Sequence, residues 1–231
     1  MIIMDTTFIS EYLHEFLFVY LPYIAGAVFL VGLLYRLAAR GESVQALSSQ
    51  FLSNDKLLKW GSNLFHYGII FVFVGHIFGL LAPEWMYDWL ITNEQKRLLA
   101  IVMGGASGII TLVGILMLMI RRFTVKPVKE NSHTADFLLV VLVVIQVATG
   151  LLGTCETITQ DLDYYMNLDR WAQGTFLFLP DSWKYLTATA FIHKLHILLG
   201  FLIVLIFPFT KLMHMIALPI RYVVDYFLGK K

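Results

Sequence analysis

The chain has 231 residues, 58% of them hydrophobic and only 14% charged, with a mean hydropathy of +0.74 and a formal net charge of +1. These values exclude a water-soluble globular domain and indicate a helical membrane protein. The single cysteine, Cys155, excludes a disulfide framework and a cysteine-ligated iron–sulfur cluster within this chain.

The N-terminus lacks the basic region of a signal peptide, and no small-residue cleavage site follows the first apolar run. That run is expected to stay as a span over residues 16–35, with Pro22 near its start, where neighbouring helices can satisfy the freed carbonyl. A polar stretch over 36–59 follows, and its Val44, Leu47, Phe51 and Leu52 suggest a short amphipathic helix at the membrane surface. The second span, 64–82, holds no acid, lysine or arginine and is about long enough to cross a hydrocarbon core of roughly 30 Å. Pro83 ends it. The loop over 84–97 carries Trp85, Tyr87 and Trp89, the aromatic belt of an interface.

The third span, 98–120, contains Gly104-Gly-Ala-Ser-Gly108, small residues that permit close helix packing. Arg121-Arg122 stops it, and a basic loop extends to about residue 136. The fourth span is 137–155, ending in Cys155, which reads as a packed thiol. A long polar loop over 156–184 contains Trp171 and Trp183. The fifth span, 186–209, is unusual because it holds His193, Lys194 and His196. The tail, 210–231, reads as an amphipathic interfacial helix that includes His214. The expected architecture is one all-α membrane domain over 1–231, a bundle of five transmembrane helices.

Lysine and arginine are unevenly shared between the two sets of loops: twelve against four, with Lys194 inside a span. The basic side belongs in the cytoplasm. Five spans then put the N-terminus outside, on the periplasmic side, and the C-terminus in the cytoplasm.

An ionisable side chain inside a membrane helix is costly and therefore points to function. The second span carries His66 and His76, ten residues or about 15 Å apart along a helix. Gly68, Gly75 and Gly79 flank them, and a helix face without side chains lets a flat ligand or another backbone come close. The fifth span runs the opposite way, so His76 levels with His196 in the outer half and His66 with His214 near the cytoplasmic face. Two stacked histidine pairs are what two haems in one bundle require, since neutral imidazoles ligate iron. Separately, His196 and His214 are eighteen residues apart, about 27 Å on a straight helix, so a bend must absorb the excess; Pro208 lies between them. His193, three residues before His196, competes with it as the outer ligand, and spacing alone does not choose. His14 and His133 lie in polar flanks and read as ordinary surface residues.

Ser62-Asn-Leu-Phe-His66, Val74-Gly-His76, Gly104-Gly-Ala-Ser-Gly108, Lys194-Leu-His196 and Phe207-Pro-Phe209 up to His214 resemble the gamma subunit of respiratory nitrate reductase. Pro22-Tyr-Ile-Ala-Gly-Ala27 and Ser48-Ser-Gln50 also fit, and the likeness covers nearly the whole chain. The resemblance implies a five-span dihaem cytochrome b of the bacterial or archaeal cytoplasmic membrane. It implies that His76 and His196 hold the outer haem b and that His66 and His214 hold the inner one. It implies that Lys96 serves quinol (menaquinol or ubiquinol) at the outer interface, and it gives His193 no role. It implies partners on the cytoplasmic face: an iron–sulfur beta subunit and a molybdenum catalytic alpha subunit, where nitrate is reduced. This chain offers no ligands for molybdenum, so nitrate chemistry lies elsewhere. A cytochrome b subunit of a sulfur-metabolism or heterodisulfide-type reductase complex is the alternative within the class. A haem-free histidine proton relay and a structural anchor are the alternatives outside it.

Overall fold

The computed structural model describes residues 6–39 and 55–216, and among these the chain is helical without strands. Helix α1 (Thr6–Glu15) runs through a π-helical turn (Phe16–Tyr20) into α2 (Leu21–Ala39). Then come α3 (Lys56–Leu80), α4 (Glu84–Tyr87), α5 (Asn93–Thr124), α6 (Lys126–Glu130), α7 (Thr134–Thr159), α8 (Leu162–Phe176) and α9 (Phe191–Ile206). Single-residue caps fix several starts. Asp55 accepts from Leu58 N at 2.9 Å to open α3, and Thr92 with Gln95 forms a reciprocal capping box at α5.

Five stretches are long and apolar enough to cross a membrane: Ser10–Arg36, Lys56–Leu80, Asn93–Thr124, Thr134–Thr159 and Phe191–Phe209. The chain is therefore a multi-pass membrane protein, as its composition requires. The fifth span begins at Phe191 rather than near residue 186, because Pro180–Leu186 forms a 3-10 turn that belongs to the preceding cap.

In the bundle α3 packs on α5, α5 on α7, α7 on α9 and α9 on α2. Small residues set the tightest contacts. A Cβ on Gly114 would run into the Phe65 backbone, and one on Gly68 would lie 2.5 Å from Thr111 Oγ1, so α3 and α5 touch almost backbone to backbone. Gly68 thus seats α5. Within the Gly104–Gly108 run the close contact is at Gly108, where a Cβ would sit 2.7 Å from Leu151 Cδ2 of α7. Gly75, Gly79 and Gly104 face open space instead.

Three expectations are corrected. Much of the stretch read as a polar loop, 156–184, is helical: α8 lies across one end of the bundle and buries Leu168 and Trp171 against Phe18 and Leu186. Leu80 of α3 and Ile197, Leu198 and Phe201 of α9 complete this cluster. The helix escapes a hydropathy reading because its apolar face alternates with acids and amides, and only the 3.6-residue period reveals it. His14 is not a surface residue; it packs between Phe18 and Trp183, with ring centres 4.6 and 5.6 Å away. Cys155 is exposed on α7 rather than packed. The amphipathic helix expected around residues 44–52 and the tail beyond residue 216 lie outside the described residues.

Candidate functional site

The four histidines singled out on the second and fifth spans and the tail come together as two pairs. The His76 and His196 rings have centres 6.1 Å apart, and those of His66 and His214 are 6.2 Å apart. His66 and His76 stand on α3, ten residues and about three turns apart. His196 stands on α9, while His214 follows a 3-10 turn (Lys211–Met213). The bend required between them is a break: α9 stops at Ile206, and Phe207–Phe209 forms another 3-10 turn around Pro208. Pro208 is buried in a notch on α2, where a Cβ at Gly32 would lie 2.5 Å from its ring.

Each imidazole is oriented the same way. His66 Nδ1 donates to Ser62 O at 2.7 Å, His76 Nδ1 to Val72 O at 2.8 Å and His214 Nδ1 to Lys211 O at 2.5 Å. His196 Nδ1 donates to Gln146 O on α7 at 3.1 Å. A carbonyl can only accept, so the proton sits on Nδ1; the Nε2 lone pairs of His66, His76 and His214 are left for a ligand, while that of His196 faces the Gln146 side-chain amide at 3.4 Å. Gln146 returns the contact, its side-chain amide donating to His196 O at 3.2 Å. Gly150, one turn further along α7, makes room for the ring: a Cβ there would lie 2.9 Å from His196 Cε1. Gln146 and Gly150 were not singled out from the sequence, although an amide four residues before a glycine inside an apolar span was a visible signal.

The competitor His193 has no free nitrogen. Its Nδ1 meets the Tyr164 hydroxyl at 2.9 Å and its Nε2 meets Thr157 Oγ1 at 3.3 Å. His196, not His193, is the histidine that faces His76.

The spacing can be tested against a ligand. With a metal–imidazole bond of about 2.0 Å and a ring centre roughly 1.1 Å behind the nitrogen, two imidazoles on opposite sides of one metal would have centres roughly 6.2 Å apart. Both pairs match. Among the described residues no group of three or more His, Cys, Asp and Glu is placed to hold a metal ion. Two axial donors per site suit a metal that brings its own equatorial ring, as in a haem. Gly75 and Gly79, open on either side of His76, leave space for a flat group there. The residues fit two bis-histidine haems.

Lys96 does not reach for water. It is 4% exposed, its Nζ lies 2.6 Å from Asp169 Oδ2 on α8, and the ammonium sits 4.3 Å from the centre of the Tyr87 ring. Asp169 is fully buried. Burial pushes its carboxyl up to about 6, although Lys96 pulls the other way. The same burial, helped by Asp169, raises the Tyr165 hydroxyl and pushes Tyr87 up to about 12. Asp169 was missed in the sequence; it lies one turn after Tyr165 on the buried face of α8, and that spacing was the available sign. Next to Lys96, Arg97 donates to Thr157 O at 3.0 Å and also to Gln160 O, tying α5 to the end of α7.

At the opposite end, Asp136 on α7 holds Lys211 at 2.6 Å and Arg122 at 3.5 Å, and Arg121 holds Asp55 at 2.8 Å. Lys211 is the residue whose carbonyl orients His214, so this ion cluster pins the segment that carries His214.

A family model described as nitrate reductase gamma subunit matches residues 14–229. The chain is 41% identical to respiratory nitrate reductase 1 gamma chain of Escherichia coli (strain K12) over 92% of its own length and 94% of that protein's. It is 38% identical to respiratory nitrate reductase 2 gamma chain of the same organism, over 92% and 94% of the two lengths. It is 32% identical to nitrate reductase gamma chain of Bacillus subtilis (strain 168), over 87% and 91%. With a matching family model over most of its length and full-length relatives of one description, the chain belongs to the nitrate reductase gamma subunit family, the membrane subunit of an oxidoreductase complex.

Proposed function

We propose that the chain oxidises membrane quinol near the His76–His196 pair and conducts the electrons across the bilayer to a cytoplasmic iron–sulfur subunit, for reduction of nitrate in a molybdenum subunit. The observation that carries this reading is the pair of imidazole pairs, 6.1 and 6.2 Å between ring centres, all four oriented through Nδ1. His76 with His196, and His66 with His214, would each hold one haem b. When bound, such a group supplies a one-electron carrier whose potential the low-dielectric shell tunes.

The chain's own residues do the rest. Carbonyls of Ser62, Val72, Gln146 and Lys211 fix the ligand tautomers and ring planes. Helix α8 covers the His76–His196 end and keeps bulk water from it, with Gln173 donating to Leu80 O and Ala82 O at the end of α3. Lys96 binds a quinol oxygen and stabilises negative charge on it as protons leave. These protons are released outside; the basic loops at the His66–His214 end support a cytoplasmic position for it. Exposed Lys126 and Lys129 at that end suit docking to the iron–sulfur partner.

The test is purification of the native complex. Two b-type haems per chain, reducible by quinol and reoxidised by nitrate, are expected, and Lys96→Ala should keep both haems while slowing their reduction by quinol. A reporter active only outside the cytoplasm, fused after Lys231, should stay silent. A complex with one haem or none sinks the reading and leaves a proton relay or a structural anchor. Sulfur-metabolism subunits in place of nitrate-reducing ones would shift the terminal acceptor.

A further inference from the structure

We propose that Asp169 is the proton acceptor of the quinol site: one quinol hydroxyl donates to its Oδ1 while its Oδ2 stays on Lys96. The inference rests on the quinol reading of Lys96 above and names the base that this reading lacks.

Quinol oxidation releases two hydroxyl protons and needs a group to take them. His76 and His196 do not serve, since Nδ1 of each is committed to a carbonyl and Nε2 to ligation. Lys96 is an ammonium paired at 2.6 Å and carries no lone pair. Asp169 is different. Its Oδ2 is held by Lys96, but its Oδ1 is buried without a hydrogen-bond partner among the described residues. The hydroxyl of Tyr165, one turn earlier on the same face of α8, is buried and likewise unpartnered. Asp169 is 0% exposed and Tyr165 5% exposed. A buried carboxylate oxygen and a buried phenol, each left unsatisfied on the same face of α8, are costly unless something occupies them. A quinol supplies the complement, a hydroxyl to donate to Oδ1 and an oxygen to accept from Tyr165. The position also fits: Asp169 is one turn from Gln173, which grips the last carbonyls of α3, and His76 is one turn before Leu80 on that helix.

The step balances. An O–H bond of the quinol breaks, the proton forms an O–H bond on Asp169 Oδ1, and the electron leaves to the one-electron carrier, a haem b, that the His76–His196 pair would hold. The protonated acid loses this proton to the outer aqueous phase. The second hydroxyl, across the ring, gives its proton to the outer aqueous phase as the second electron leaves to the same one-electron carrier, giving quinone. The charged and titratable groups around Asp169 are Lys96 on α5, Tyr87 and Glu84 on α4, and Tyr165 and Arg170 on α8. Burial among them lifts the carboxyl to about 6, so it both accepts and returns a proton near neutral pH.

The test uses the whole complex in membranes, with Asp169→Asn, Asp169→Glu and Lys96→Ala. The isosteric amide keeps the shape but cannot accept the proton. In wild type, quinol-dependent haem reduction with reduced menadione should rise with pH through about 6, as the carboxylate form appears. Asp169→Asn should slow it by about a hundredfold and remove that rise, with haem content and dithionite-reduced spectra unchanged. Asp169→Glu should restore part of the rate and a shifted pH limb. Binding of a fluorescent hydroxyquinoline N-oxide, a quinol mimic, should lose its dependence on pH around this value in Asp169→Asn. An Asp169→Asn variant with the wild-type rate and pH limb, beside a slow Lys96→Ala, overturns the acceptor while leaving the quinol reading intact. Normal reduction and mimic binding in both variants overturns the quinol reading itself.

Discussion

At the α8 end of the bundle, His76 and His196 stand on two unbroken helices, α3 and α9, whose ends pack into the buried hydrophobic cap through Leu80, Ile197 and Leu198. At the other end, His66 stands on the same α3, but His214 stands on chain that has already left its helix. The ring separations differ by only 0.1 Å, from 6.1 to 6.2 Å. One separation is thus reached by two constructions, with the rings 33° apart in plane at the first and 65° at the second. The first relies on helix stiffness and on α7, through Gln146 and Gly150. The second relies on Pro208 in its notch and on the Asp136–Lys211–Arg122 ions. A ligand on a stiff helix needs little further support, whereas one on irregular chain must be pinned from outside.

The comparison breaks most completely if one ligand is removed. His76→Ala should abolish the haem at the α8 end and keep the other, and His66→Ala the reverse, each giving one haem per chain by pigment extraction. Loss of both from either variant would mean that the two ends do not fold independently. Asp136→Ala comes next. It leaves Lys211 and Arg122 without their carboxylate, and because Lys211 is half exposed the cost is about 1–2 kcal/mol rather than that of a fully buried pair. Detergent titration should strip the His66–His214 haem first in this variant and leave the other untouched.

Gly150→Ala probes the opposite end. Its new methyl would press on His196 Cε1, so overpacking of about 1–3 kcal/mol should appear as a changed spectrum or potential of the haem at the α8 end only. The smallest effect is expected from Trp171→Phe. It keeps the ring but removes the bond from Nε1–H to Phe18 O at 3.1 Å, where the π-helical turn presents a carbonyl. About 1 kcal/mol should be lost, read as a lower thermal midpoint and faster proteolysis around α8, with both haems retained.

Five spans, the two histidine pairs and the class of protein were legible in the sequence, because long apolar runs and intramembrane histidines are local signals. Hydropathy and helix period need no knowledge of neighbours, and level pairing follows from counting residues on antiparallel helices. The choice of His196 over His193 was not local. The two lie three residues apart on one helix, and the packing of the helices turns His196 toward His76 and His193 toward Tyr164 of α8 and Thr157 of α7. The burial of Lys96 was equally hidden: a lysine at the end of an apolar span reads as an anchor until Asp169, 73 positions away, comes to 2.6 Å. A chain code lists which side chains are present along one axis. Desolvation, ion pairing and free lone pairs depend on what other helices bring to the same place, and the tertiary structure alone decides that.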